Sequence, residues 1–257
     1  MKAVILVGGY GTRLSEKTTL IPKPMVEIGG KPILWHLMKY YSTFGIDDFV
    51  LCLGYKGDLI KEYFLNIRAH TSDIQIDLTK PDIKLLNNGC ESWKITMIDT
   101  GLDTGTAGRL AKVRKYLGNE PFHMTYGDGL ADIDLENLML AHNNHDKLVT
   151  VTGIIPPTRY GYLKTDGEIV TSFNEKPQID SDSRINGGFF VIDPKALELI
   201  EDNAEMWEKG PMEKLVAQKE LAAFNHDGFW QCMDTLRDQQ MLEKLWDTGK
   251  ADWKVWA

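Results

Sequence analysis

The chain has 257 residues and a formal net charge of −8, with 43% hydrophobic and 26% charged residues. An acidic balance argues against a nucleic-acid polymer or an anionic membrane as partner, since both select basic surfaces. Three scattered cysteines, Cys52, Cys90 and Cys232, exclude a disulfide framework, and with no C-x-x-C pair they read as idle or buried thiols.

The first predicted element is a strand over residues 4–7, where Val4, Ile5, Leu6 and Val7 are too few for a helix and suit a strand covered on both faces. Gly8, Gly9 and Gly11 follow, and glycine lets backbone N–H groups come close to an anion. Arg13 adds a planar fork for phosphate oxygens. Lys23, bracketed by Pro22 and Pro24, adds a point charge on a stiffened support. Residues 1–31 carry Lys2, Arg13, Lys17, Lys23 and Lys31 against only Glu16 and Glu27, so positive charge is concentrated here within an acidic chain. The loop suits a polyphosphate. Spacing excludes two better-known phosphate loops: a dinucleotide fingerprint after Gly9-Tyr10-Gly11 needs glycine where the chain has Leu14, and no G-x-x-x-x-G-K-[ST] occurs.

Helical spacing of Ile33, Leu34, Leu37, Met38, Tyr41 and Phe44, stopped by Gly45, predicts a helix, and residues 49–53 predict a second buried strand. Gly54-Tyr55-Lys56-Gly57 then leads into a helix through Tyr63, so the chain opens strand, helix, strand, helix, as a parallel doubly wound sheet does. Residues 66–98 break the rhythm: Ile74, Ile76 and Leu78 alternate, Pro81 and Asn87-Asn88-Gly89 mark turns, and Ile95 and Met97 alternate again. This predicts a peripheral β excursion. A helix over 107–117 and a strand over 122–126 come next, ending at Gly127-Asp128-Gly129, where an acidic residue just past a buried parallel strand sits at the usual ligand position of such sheets.

Further on, the pattern predicts a helix over 135–145, a strand over 148–155, two strands turning at Asp166-Gly167, helices beginning near Pro194 and Pro211, and a helix over about 236–246. No linker divides the chain, so residues 1–257 are expected to form a single domain. The predicted class is α/β: a Rossmann-like, mixed but mainly parallel sheet with helices on both faces, a small antiparallel extension, and a helical, Trp-rich segment at about 235–257. Trp246, Trp253 and Trp256 in that segment suit either a subunit contact or a tail folded back on its own domain. Only five apolar residues lie between Lys2 and Gly8, fewer than the roughly seven of a signal-peptide core, and no apolar run nears the roughly 18 of a membrane span. A cytoplasmic location is expected.

In order along the chain come Gly8-Gly9-Tyr10-Gly11-Thr12-Arg13, Pro22-Lys23-Pro24, Thr125-Tyr126-Gly127-Asp128-Gly129, Glu175-Lys176-Pro177 and Asn186-Gly187-Gly188. With these the chain resembles the sugar nucleotidylyltransferases over essentially its whole length, and that resemblance implies their nucleotidyltransferase fold. Thr104-Gly105-Thr106-Ala107-Gly108-Arg109-Leu110, Tyr126-Gly127-Asp128-Gly129 and Phe229-Trp230-Gln231-Cys232-Met233-Asp234-Thr235 narrow the likeness. They make it similar to the branch that joins CTP and α-D-glucose 1-phosphate into CDP-glucose and pyrophosphate, for dideoxyhexoses of O-antigen-type surface polysaccharide.

The resemblance implies that Leu6, Val7, Gly8, Gly9 and Tyr10 lie near base and ribose, with Gly11, Thr12 and Arg13 on the phosphates. It implies Lys23 on the reacting phosphates, Thr104 and Arg109 on the nucleotide, and Asp128 with Asp234 on Mg²⁺. Lys176 would hold the sugar phosphate and Asn186 the hexose hydroxyls. A homo-oligomer, specifically a hexamer, is also implied. Taken singly, Asp128 suits a turn, Asp234 a helix cap and Lys176 a surface charge; it is the ordered set that favours function. The same reaction with dTTP or UTP, and a noncatalytic subunit that binds sugar nucleotide, remain open. The six histidines show no metal-ligand spacing.

Overall fold

The computed structural model describes residues 1–80, 82–87, 89–156, 162–174 and 184–256. Lys2–Leu6 (β1) and Asp48–Leu53 (β2) pair in parallel, and their side chains alternate between two apolar cores. Ala3, Ile5, Phe49, Leu51 and Leu53 enter one core, and Val4, Leu6, Val50 and Cys52 enter the other. Burial on both faces is what makes these strands continuous hydrophobic runs in the sequence.

Lys94–Asp99 (β3), Phe122–Tyr126 (β4), Val149–Ile154 (β5), Ile185–Ile192 (β6) and Leu221–His226 (β7) complete a seven-stranded sheet in the order β7-β5-β6-β4-β1-β2-β3. β1 is parallel to both β2 and β4, β3 is parallel to β2, and β7 to β5, while β6 runs antiparallel to β4 and β5. The longer helices are Ile33–Thr43 (α1), Gly57–Thr71 (α2), Thr106–Val113 (α3), Leu135–His145 (α4), Gly210–Ala217 (α5) and Leu236–Asp247 (α6). Leu37, Ile60, Leu138 and Leu242 bring α1, α2, α4 and α6 to the first core; Leu110 and Leu215 bring α3 and α5 to the second. The expected mixed, mainly parallel sheet with helices on both faces is present. Because β2 and β4 flank β1 on opposite sides, the strand order reverses at β1, and in such sheets the ground past the carboxyl ends of the strands at that point is where ligands bind.

The stretch 66–98 differs from the expected peripheral excursion. Residues 66–71 complete α2, and Lys94–Asp99 is the edge strand β3 of the main sheet, which leaves only the hairpin Ile74–Asp77/Asp82–Leu85 outside it. An edge strand is half-exposed, so β3 alternates like a surface strand and not like its buried neighbours. Pro194–Leu199 is a 3-10 helix, and β7 lay where no strand was expected. The hairpin at Asp166-Gly167 forms as predicted, between Tyr162–Asp166 and Ile169–Asn174.

The C-terminal tryptophans fold back on their own chain. Trp253 is fully buried, and the rings of Trp246, Trp253 and Trp256 lie 4.8, 6.2 and 6.1 Å from the ring of His36 on α1. His36 Nε2 meets Ile28 O at 2.7 Å, and burial lowers the His36 pKa to about 4, so this ring is a neutral part of the core. Burial does the same to His123 on β4. Among the described residues no helix is long and apolar enough to cross a membrane.

Candidate active site

The glycine loop leaves β1 pinned to its neighbours: Val7 N donates to Cys52 O at 3.2 Å, and Tyr55 N donates to Gly8 O at 3.2 Å. Gly8 has no room for a side chain, because a Cβ there would lie 2.2 Å from a guanidinium nitrogen of Arg109. Gly11 turns the chain at φ +65°, and Leu14 N donates back to Gly11 O at 3.0 Å. Leu6 and Val7 are buried, whereas Gly9, Tyr10 and Thr12 are exposed past the end of β1. The Tyr10 ring stands 5.3 Å from Tyr55, and its hydroxyl donates to Asp103 at 3.1 Å.

Arg109, on α3, lies under this loop and is 4% exposed. It donates to Gly8 O (3.1 Å) after β1, to Leu53 O (3.0 Å) at the end of β2, and to Thr100 Oγ1 (2.6 Å), Gly101 O (2.8 Å) and Leu102 O (3.3 Å) after β3. One guanidinium thus clips together three strand ends. Thr104 works in the same loop, donating to Thr100 O at 2.6 Å and accepting from Lys112 Nζ at 3.0 Å. The polar atoms of both residues meet protein groups, so each holds its loop in shape.

Arg109→Ala strands several buried carbonyls and is expected to cost on the order of 3 kcal/mol, a drop of roughly 10 °C in melting temperature. Arg109→Lys, with no planar fork, should recover little of it. A melting curve for Arg109→Ala that overlays the parent's would remove this role.

The acidic half of the site forms where β4 ends. Gly127 N donates to Leu6 O at 3.0 Å, and a Cβ at Gly127 would meet Val7 at 2.7 Å, so only glycine lets the two strand ends approach. Just beyond Asp128, Gly129–Ala131 pairs antiparallel with Trp230–Cys232, placing Cys232 opposite Gly129, and Met233 N donates to Asp128 O at 2.9 Å. This ribbon brings Asp234 to Asp128 from about a hundred positions further along the sequence. Lys23 Nζ donates to Asp128 Oδ2 at 2.6 Å and to Asp234 Oδ1 at 2.7 Å, while Arg13 donates to Asp234 Oδ2 at 2.6 Å.

Burial alone would lower the pKa of Lys23, but Asp128, Cys232 and Asp234 more than offset it and hold it above the ordinary lysine value. The group is a fixed cation. Thr235 caps α6 in a capping box with Asp238, so Asp234 is not the cap.

The carboxylates of Asp128 and Asp234 face one point, where the Lys23 ammonium stands in for a cation. Two hard oxygen donors so arranged fit a divalent metal. Cys232 belongs to the same cluster, its sulfur and the two carboxylate ligand atoms all lying within 4.8 Å of one another. Its thiol pKa is pushed up, first by burial and then by Asp128. The sequence reading set this cysteine aside. The available signal was that Cys232 stands two positions before Asp234, and alternate residues of an extended segment share a side.

Asn186 lies at the start of β6, past the carboxyl end of β4, with its Oδ1 accepting from Gly188 N at 2.8 Å. Gly188, at φ +79°, packs against the Tyr126 ring, whose hydroxyl donates to Glu208. The Glu175-Lys176-Pro177 motif falls outside the described residues. Arg13, Lys23, Asp128 and Asp234 therefore meet, Arg109 supports the glycine loop from below, and Asn186 lies past the carboxyl end of β4.

A family model described as nucleotidyl transferase matches residues 2–252. The chain is 51% identical over 257 residues to a glucose-1-phosphate cytidylyltransferase of Salmonella typhi, covering 100% of both chains. It is 45% identical, again over 100% of both, to a Bacillus subtilis protein described as a probable glucose-1-phosphate cytidylyltransferase. Among solved structures, HddC from Yersinia pseudotuberculosis matches with a TM-score of 0.69 at 25% identity, over 95% of this chain and 99% of that one. Nucleotidyltransferases of this kind generally use a divalent metal.

Proposed function

Since the chain belongs to the nucleotidyl transferase family, we propose that it transfers CMP from CTP to α-D-glucose 1-phosphate, releasing pyrophosphate and forming CDP-glucose. The observation that carries the chemistry is the meeting of Arg13, Lys23, Asp128 and Asp234 at the mouth of the glycine loop. The full-length likeness to the Salmonella typhi enzyme supports the choice of substrates.

Joining two polyanions calls for neutralisation more than for acid or base catalysis. The sugar phosphate is already ionised, so no proton has to be removed, and positioning and charge supply the rate. In this reading Gly11 and Thr12 hold the triphosphate, and Gly8, Gly9 and Tyr10 lie beside the base and ribose. The sugar-phosphate oxygen attacks the α-phosphorus in line, Lys23 neutralises the reacting phosphates, and pyrophosphate leaves toward the exposed Arg13 side chain. Mg²⁺ held by Asp128 and Asp234 would add charge neutralisation and order the phosphates around itself. Asn186 would take hexose hydroxyls and Lys176 the sugar phosphate, on the strength of their motifs.

The same reading makes the protein a cytoplasmic enzyme of dideoxyhexose supply for O-antigen-type polysaccharide, and a homo-oligomer, specifically a hexamer. Exposed Ile74, Ile76, Leu78 and Ile83 on the small hairpin offer apolar surface suited to a second copy.

Pyrophosphate release from CTP, UTP, dTTP, ATP and GTP, each with glucose 1-phosphate, tests the proposal. CTP should be strongly preferred, and a chelator should stop turnover. Preference for another base would keep the chemistry and overturn the cytidylyl assignment; release from none would favour a noncatalytic binding subunit.

A further inference from the structure

We infer that Cys232 is a third metal donor beside Asp128 and Asp234, and that it makes this site a selective trap for thiophilic divalent cations such as Cd²⁺ and Zn²⁺. The inference rests on the reading of the two aspartates as the metal pair and adds the property that separates the site from a purely oxygen-lined one.

The three donor atoms lie within 4.8 Å of one another, a spacing that one ion can span. Their supports are rigid. Cys232 is held in register opposite Gly129, its carbonyl accepts from Gln231 Nε2 at 2.7 Å, and the next residue, Met233, bonds to the backbone of Asp128 at 2.9 Å. The sulfur is therefore held beside the two carboxylates by the same ribbon that brings them together. It is also reachable: Cys232 is partly exposed, whereas Cys52 is fully buried in the second core.

The Lys23 ammonium bonds to both carboxylates at the point the donors surround, so an incoming ion takes its place there and the ammonium swings aside. Mg²⁺ is hard, binds through oxygen and gains nothing from the sulfur. Zn²⁺ and Cd²⁺ gain a thiolate bond, and one sulfur with two carboxylates leaves a fourth, tetrahedral position for water or phosphate. As the metal–sulfur bond forms, the thiol proton passes to solvent and the sulfur keeps its electron pair as the donor. A thiophilic ion seated this way holds both carboxylates and keeps Mg²⁺ out, so traces of such ions inhibit the protein until a chelator removes them.

The test is a Cd²⁺ titration of the full-length protein in excess Mg²⁺, followed by ultraviolet Cd–thiolate charge-transfer absorption and by calorimetry. Parent, Cys232→Ser, Cys232→Ala and Asp128→Asn are compared. Loss of a ligand from the inner coordination sphere should weaken Cd²⁺ binding by at least roughly tenfold. Both Cys232 variants should also lose the charge-transfer band, and Asp128→Asn should keep the sulfur yet bind Cd²⁺ more weakly. If Cys232→Ser and Cys232→Ala keep parental affinity and absorption while Asp128→Asn weakens binding, the role of Cys232 is overturned and the metal pair stands. If Asp128→Asn binds Cd²⁺ like the parent, the aspartates do not form the site, and both readings fail.

Discussion

Lys23→Met is expected to lower pyrophosphate release by about 10²- to 10³-fold at saturating substrate, the size of effect seen when one charge-stabilising donor is removed from a transition state. Lys23 is 10% exposed at its side chain and touches both Asp128 and Asp234, so it is the one described cation that addresses the two carboxylates together. Methionine keeps the apolar stem in place beside Pro22 and Pro24 and removes only the charge. Two partly buried carboxylates then lose a shared partner and repel each other, which should also destabilise the fold by roughly 2 kcal/mol. Added Mg²⁺ should recover some of that stability but not the rate, because the ion cannot take over the ammonium's contact with the reacting phosphates. Lys23→Arg should not restore activity, since a planar fork does not reproduce a compact ammonium between two single oxygens. Steady-state kinetics with melting curves, with and without Mg²⁺, checks this; parental kinetics in Lys23→Met would remove the residue from the reaction.

The second large effect belongs to Asp128. Asp128→Asn preserves shape and one oxygen acceptor but removes a hard anionic donor. A loss of several kcal/mol in phosphate-charge stabilisation corresponds to a fall in rate of about a hundredfold or more. The distinguishing signature is metal dependence: the activity curve should shift to higher Mg²⁺, with part of the rate regained at high concentration. Because the asparagine oxygen can still accept from Lys23, the melting temperature should change little. A variant whose Mg²⁺ curve overlays the parent's would show that Asp128 does not hold the metal.

Much of this arrangement can be read from the residues because both-face burial leaves no room for polar interruption. The runs at 4–7 and 49–53 are continuous for that reason, and the loops that follow such strands lie at one edge of the sheet. The meeting of Lys23 with Asp128 and Asp234 was not readable from spacing alone, since it depends on a ribbon between segments about a hundred residues apart. Nor could periodicity say what Arg109 touches. A guanidinium on an inward helix face serves carbonyls or phosphates equally well, and here carbonyls at three strand ends claim it. β3 and β7 were misjudged because edge strands carry a mixed pattern that solvent and core share.

The pairing of Gly129–Ala131 with Trp230–Cys232 has a consequence for how the protein is born. At a synthesis rate of roughly 5–20 residues per second, Asp234 emerges some 5 to 20 s after Asp128. Throughout that interval the ribosome-bound chain already carries the glycine loop, Arg13, Lys23 and one of the two acids, yet lacks the strand that positions the second. A nascent chain stopped there lacks the strand that brings Asp234 to Lys23, so it cannot complete the cluster, and unfinished polypeptides should stay silent while translation is still under way.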